Sequence, residues 1–358
     1  MGWKDILGSK SKSLVGVDIG TSAIKVVELR SGGAKGKYEL KSIGARRIPG
    51  DSIVDGVIIA KLPVAEAIDT LFQELGIKNS SIATSIAGHS VIVKKITVPA
   101  QTREELDDSI QWEAEQYIPF DISEVNVDYQ IVRKLPDANK IEVILVAAKR
   151  EKITDHTSVL SMAGKNASVV DTDAFALHNV YDLNYNPQEA TVAAVLDIGA
   201  TVMNINIQRG REFLYTRDIN FGGNQYTEFL QRELNVSIEE AEEMKQAESY
   251  PEDYAEKVPE ILRSVSENLA QQAQTTFDYF KSANQSDEIE EIYIAGGASR
   301  TEGLRDYLEE RFQVPVQFLD PFKKVAKVKQ DIPPEYLNGM ASDFAIAVGL
   351  ALRTANDR

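Results

Sequence analysis

A chain of 358 residues is long enough for two domains with full cores, and its 43% hydrophobic and 26% charged residues are the balance of a globular protein. A net charge of −16 argues against nucleic acid as a partner, since that affinity comes mainly from Lys and Arg on phosphates. No apolar run reaches the roughly 18 residues a membrane span requires, and the absence of cysteine excludes disulfides and thiolate metal sites, in keeping with a cytoplasmic setting.

The N-terminus, MGWKDILGSKSK, lacks a signal-peptide core. Its Trp3, Ile6 and Leu7 fall at helical spacing among lysines, which fits a loosely packed terminus or a short membrane-surface or partner-binding helix. From Leu14 to Lys25, LVGVDIGTSAIK reads as strand, tight turn, strand. Gly20 offers the positive φ of such a turn and leaves room for backbone N–H groups to converge on an anion. Asp18 at its mouth would hold a hydrated Mg²⁺ that bridges phosphate oxygens. Strands over residues 26–29 and 38–47 follow, across a Gly-rich turn at 31–36. Val64, Ala67, Ile68, Leu71 and Leu75 then mark a helix that stops at Gly76.

Residues 81–165 read as a compact α/β insertion. It holds a strand pair around Gly88, a helix opened by the capping box Thr102 to Glu105, strands over 125–132 and 141–148, and a helix over 151–163. Leu106, Ile110, Ala114 and Tyr117 share one face of the first helix, and Trp112 lies on the opposite face. Trp112 either packs on the neighbouring subdomain or marks a contact site. With Ile118 and Phe120, presented where Pro119 ends the helix, it makes a candidate docking surface. A strand then ends at Asp171 and a helix starts near Asp173; by residue type either aspartate is also a helix N-cap.

The stretch AVLDIGATVMN, Ala194 to Asn204, repeats the first turn, and Asp197 lies 197 − 18 = 179 positions after Asp18, half the chain. The repetition makes two ordinary hairpins into two jaws of one clamp around a Mg·nucleotide tail. Beyond it, RDINFGGNQ (217–225) opens a helix to about Leu234, and the capping box Ser237 to Glu240 leads into AEEMK. Residues 258–280 form a long amphipathic helix. EIYIAGGASR (291–300) ends a buried strand in Gly296 and Gly297, where paired glycines let a flat ligand lie on the backbone. A largely buried helix over 344–352 follows, and His89, His156 and His178 show no metal-ligand spacing.

Two D-x-G turns half a chain apart, followed by a late strand ending in Gly-Gly, resemble the actin, Hsp70 and sugar-kinase superfamily along the whole chain. The resemblance implies an α/β, actin-like (ribonuclease H-like) two-domain fold that binds ATP with Mg²⁺. It puts Asp18, Gly20, Thr21, Ser22 and Lys25 on phosphates and metal from one side and Asp197, Gly199, Ala200 and Thr201 from the other. Asp18 and Asp197 would hold the Mg²⁺ through water. Gly222, Gly223, Glu242 and Lys245 are implied at the nucleotide, the last two at its ribose; Gly296, Gly297 and Ser299 lie against adenosine. Asp171, with Asp173 next best, matches the catalytic position that orients the attacking water.

The insertion, with WEAEQYIPF and DTDAFAL, resembles the FtsA-like proteins and above all the PilM-like family of type IV pilus proteins. This implies a first actin-like domain (1A) over 1–80 and 166–190, an FtsA-type 1C α/β subdomain over 81–165, a second domain (2A/2B) over 191–340, and a C-terminal helix over 341–358 closing onto 1A. It also implies a cytoplasmic ATP-binding scaffold of the pilus inner-membrane platform that docks the N-terminal peptide of PilN and links to the motor ATPases. Membrane contact is expected only through a partner, because no amphipathic tail follows the closing helix, and ATP hydrolysis is expected to be slow or absent. A filament-forming, self-associating ATPase and a sugar-kinase-like phosphotransferase are the alternatives.

Overall fold

The computed structural model describes residues 13–31, 37–135, 139–247, 249–284, 287–328, 332–333, 337 and 339–355. The helix expected around Trp3, Ile6 and Leu7 and the glycine-rich turn over 32–36 lie outside the described residues.

One sheet topology occurs twice. In the first domain β1 (Val15–Ile19), β2 (Ala23–Ser31) and β3 (Tyr38–Arg47) form an antiparallel meander. Beyond β1 lie two parallel strands, β6 (Ser81–Ile86) and β10 (Asn166–Thr172), and β16 (Val325–Val328) runs parallel to β3. In the second domain β11 (Val192–Ile198), β12 (Met203–Arg209) and β13 (Glu212–Ile219) make the meander, with β14 (Glu291–Ala295) and β15 (Val316–Phe318) parallel beyond β11. The orders β10-β6-β1-β2-β3 and β15-β14-β11-β12-β13 match strand for strand. The repeated turn is therefore the visible part of a repeated sheet.

Buried strands of this kind are apolar runs covered on both faces. On one face of the first sheet α1 (Lys61–Glu74) buries Val64, Ile68, Leu71 and Phe72, and ends where Gly76 turns the chain at φ +64°. The small hairpin of β4 (Ile53–Val54) and β5 (Val57–Ile58) precedes it. On the other face, α4 (Asp173–Tyr185) and α9 (Ala345–Ala351) fill the space toward the second domain, in one core with Ala193, Val195 and Tyr293. In the second domain α5 (Gly223–Leu234), α6 (Ile238–Gln246), α7 (Lys257–Ala283) and α8 (Leu304–Phe312) pack on the sheet. The stripe Leu262, Val265, Leu269, Ala273, Phe277 and Phe280 anchors α7, each large side chain contributing about 1.5–3 kcal/mol of burial.

The insertion is smaller than its expected span of 81–165. It is a sheet of β7 (Val91–Pro99), β8 (Val125–Leu135) and β9 (Lys140–Lys149) in the order β7-β9-β8, covered by α2 (Arg103–Glu115). The strands flanking Gly88 are not a pair: β6 lies between β1 and β10 in the first sheet, whereas β7 pairs with β9. The closing helix α3 (Arg150–Met162) puts Val159 and Leu160 into the core of α1, so it also belongs to the first domain. The reciprocal capping of Thr102 and Glu105 opens α2 as expected. One docking residue, and the packing alternative for another, need correction. Ile118 is buried, because it continues the stripe Leu106, Ile110, Ala114 by one more step of four, so it cannot meet a partner. Trp112 is 72% exposed, so it packs on no neighbouring subdomain.

Among the described residues no helix is long and apolar enough to cross a membrane.

Candidate functional site

The two D-x-G turns are built alike. Asp18 sits opposite Lys25 in the β1–β2 register, and Asp197 opposite Asn204 in β11–β12. Each turn closes with one backbone bond, Gly20 N–H to Ala23 O at 3.1 Å and Gly199 N–H to Val202 O at 2.9 Å. Neither residue adopts the expected positive φ; what glycine spares each turn is a tight contact with a carbonyl. A Cβ on Gly20 would lie 3.0 Å from the Ala23 carbonyl oxygen, and one on Gly199 3.0 Å from that of Val202. The tips then meet: the Thr21 and Thr201 hydroxyls are hydrogen-bonded at 3.1 Å. Residues 180 positions apart thus bring the halves of the expected clamp together.

Below this contact lies a cluster of carboxylates. Lys25 Nζ is 3.5 Å from Asp18 Oδ2; burial works against its charge, but Asp18, Asp197 and Asp343 together hold its pKa above the usual lysine value. Asp197 is pushed up to about 7 by burial, with Lys25 opposing and Asp18, Asp343 and Asp218 adding to the rise. Asp173, in the first turn of α4, is pushed up to about 8 by burial and by the charge of Asp18, against a hydrogen bond from Ser85 and with further increments from Asp218 and Asp197. Asp343 is also raised by burial, although Arg300 binds it through two bonds of 3.1 and 2.9 Å. Such an acidic pocket favours a cation. Among the described residues no three His, Asp or Glu side chains are grouped to hold a bare metal ion.

Asp171 and Asp173 have separate surroundings. Asp171 accepts the Thr172 N–H at 2.8 Å and pairs with Arg353 at 3.2 Å, a buried structural arrangement. The charges of Asp18 and Asp197 act on Asp173.

The remaining expected residues line up along the second domain. Gly222 and Gly223 bring α5 onto the second turn: Gly223 N–H donates to Gly199 O at 2.9 Å and Asn224 N–H to Ala200 O at 2.8 Å. A Cβ on Gly222 would stand 2.5 Å from Gly199 O. Those amides therefore hold the turn rather than face a ligand. Lys245 is buried and donates to Glu242 at 2.6 Å and to Thr227 at 3.0 Å. Burial would raise Glu242, but the bonds from Lys245 and Thr227 hold it below its ordinary value. Gly296, at φ +84°, lies against the end of β11, where a Cβ would be 2.5 Å from Ile198 O. Gly297 opens on free space, so a flat group has room against that backbone. Ser299 donates its hydroxyl to Gly296 O at 2.7 Å and shapes this turn from within.

A second cleft of about 450 Å³ adjoins the carboxylates. It runs between the insertion (Val91 to Val93, Phe120), the first domain (Ile86 to Gly88, Asp173) and the second domain (Asn204, Thr216 to Asp218). Phe120 is half-buried there, with Lys149 over its ring at 4.7 Å; Trp112 is not among the lining residues.

Asp218 and Asp343 were missed by the sequence reading because no motif marks them. Asp218 does lie in the quoted RDINFGGNQ, but it points to the cleft only once β13 is placed beside β12.

A family model described as type IV pilus assembly protein PilM matches residues 16–355. Among solved structures the chain is similar to a PilM–PilN type IV pilus biogenesis complex, with 27% identity, coverage of 97% of this chain and 100% of that one, and a TM-score of 0.86. It shares its fold with the ethanolamine utilization protein EutJ from Carboxydothermus hydrogenoformans, at 15% identity, 95% and 89% coverage and TM-score 0.59. It also shares it with MreB 5 of Spiroplasma citri bound to AMPPNP, at 12% identity, 95% coverage of each chain and TM-score 0.50.

Proposed function

Because the chain belongs to the type IV pilus assembly protein PilM family, we propose that it serves pilus assembly as a nucleotide-binding scaffold, in which ATP with Mg²⁺ sets how the two domains and the insertion stand relative to one another. The observation that carries the nucleotide reading is the meeting of the two D-x-G turns at Thr21 and Thr201 above an acidic pocket. Asp18 and Asp197 would hold Mg²⁺ through water, with Thr21, Ser22, Lys25, Ala200 and Thr201 around the phosphates. Glu242 and Lys245 would face the ribose and Gly296 and Gly297 the adenosine. The metal would neutralise phosphate and carboxylate charge together.

Turnover is expected to be slow or absent. Asp171 is committed to Arg353, and Asp173, pushed up to about 8, is mostly protonated at neutral pH and a poor proton acceptor. ATP changes the scaffold only by its difference in affinity for the open and closed forms.

PilN is the second component of the solved complex to which the chain is similar. We assign the cleft lined by Phe120 and Val91 to Val93 to the N-terminal peptide of a PilN-type partner, which would bring the protein to the inner membrane from the cytoplasmic side and connect it to the motor ATPases. The experiment is to load purified protein with Mg·ATP, quantify bound nucleotide and released phosphate over hours, then titrate that peptide. Retained ATP with negligible phosphate and a saturable peptide signal is expected. A chain that binds neither would overturn the reading, and steady phosphate release would replace the scaffold by an ATPase.

A further inference from the structure

At the end of β13, Asp218 uses both carboxylate oxygens on neighbours that belong to different parts of the molecule. Its Oδ1 accepts Asn204 Nδ2–H at 2.6 Å, and Asn204 is the register partner of Asp197 in the second turn of the clamp. Its Oδ2 accepts the Gly88 N–H at 2.5 Å. Gly88, at φ +88°, lies in the short connection between β6 and β7, where the chain leaves the first domain for the insertion. Two residues on, Asn220 is hydrogen-bonded to His89 at 2.7 Å. At the start of the same strand Glu212 receives Lys95 of β7 at 2.6 Å and lies 3.6 Å from Arg133 of β8.

β13 thus holds the insertion at both of its ends. The contacts at its start are ordinary partly exposed ion pairs, worth little individually. The contact at its end differs because it reaches the clamp. The charge of Asp218 acts on both Asp173 and Asp197, so a cation arriving at Asp197 relieves repulsion that Asp218 feels while it holds Gly88. We propose that Asp218 is the positioning residue through which the phosphate-and-metal end of the nucleotide site and the inserted subdomain sense each other. Nucleotide alters the grip of Asp218 on Gly88, and with it the placement of the wall of the second cleft that the insertion supplies. Reciprocity then requires that a ligand in the second cleft change nucleotide affinity by the same factor.

The inference rests on the nucleotide reading above, and one experiment separates the two. Calorimetry of the full chain with Mg·AMP-PNP tests the reading. Hydrogen exchange of the segment 86–93, with and without saturating Mg·AMP-PNP, tests the inference. In the parent, exchange there is expected to change on nucleotide binding by about fivefold or more, the lower range of ordinary coupling between sites. In Asp218→Asn, at nucleotide concentrations that calorimetry shows to be saturating, that nucleotide-dependent change is lost. A structural role alone would shift exchange equally in both states and leave their difference intact, which overturns the proposal, as does a parent whose segment ignores bound nucleotide. A parent that binds no Mg·AMP-PNP removes the nucleotide reading and the inference with it. Asp218→Ser, which removes the same charge with a smaller side chain, carries the same test if Asp218→Asn does not fold.

Discussion

Proton release should accompany nucleotide binding, and the perturbation that exposes it is pH. Asp197 is pushed up to about 7, chiefly by burial. A metal-bridged nucleotide requires it ionised, so apparent affinity scales with the ionised fraction of the free protein. For a pKa of about 7 that fraction rises from about 0.1 at about pH 6 to about 0.9 at about pH 8. Mg·AMP-PNP affinity should therefore rise about tenfold across this range from Asp197 alone, and more if Asp173, pushed up to about 8, must also ionise. Calorimetry in two buffers of different ionisation enthalpy would show close to one proton released per nucleotide near about pH 6. In Asp197→Asn binding weakens, and the proton release assigned to Asp197 disappears. Parent affinity that is flat across this pH range, with the fold intact by circular dichroism, would refute the argument that the buried carboxylates wait for a cation.

Other perturbations follow from the same geometry. Asp18→Ala should weaken Mg·ATP binding by about 10–100-fold, the usual loss when an outer-sphere metal partner is removed, while the protein stays folded; unchanged affinity would remove its metal role. Asp173→Asn should raise the thermal midpoint more at about pH 8 than at about pH 5. The folded pKa lies above the unfolded one, so stability from the protonated carboxyl is full below about 4 and is lost as pH climbs through about 8. Trp112→Ala should change stability by no more than about 0.5 kcal/mol, because the ring is exposed, and Phe120→Ala should lower affinity for a PilN-type peptide; if Trp112→Ala lowers it instead, the docking surface is the outer face of α2. Gly349→Ala would set a Cβ 2.1 Å from Ala176 O between α9 and α4, and chemical denaturation should show a loss of at least about 1–3 kcal/mol.

The turns were legible because their chemistry is local: strand, Asp, Gly and strand occupy a dozen consecutive residues, and repetition at half the chain removed the ambiguity of each copy. The insertion's edges were not, for β6 ends in a glycine turn as a hairpin strand would, while its partners β1 and β10 lie far from it in the chain. Ile118 was misplaced because the proline after it suggested an exposed helix end, although a step of four from Ala114 put it in the core. Asp218 and Asp343 enter the pocket only through tertiary packing, and no spacing announces them. Glycine at the two clamp turns was expected for the wrong reason: neither takes a positive φ, and what a side chain would meet is a close carbonyl 3.0 Å away.

Among the differences between the two matching hairpins, one concerns charge. Opposite Asp18 stands a lysine, and opposite Asp197 an asparagine. Lys25 lies 3.5 Å from Asp18, and its charge also opposes the rise of Asp197, so a single cation serves both copies from one side. Because that cation stands on the first copy alone, the paired turns offer a charged guest an uneven cradle, and so a polarity. A lysine at position 204 would give the second copy a cation of its own and remove that unevenness, leaving less for an arriving cation to neutralise.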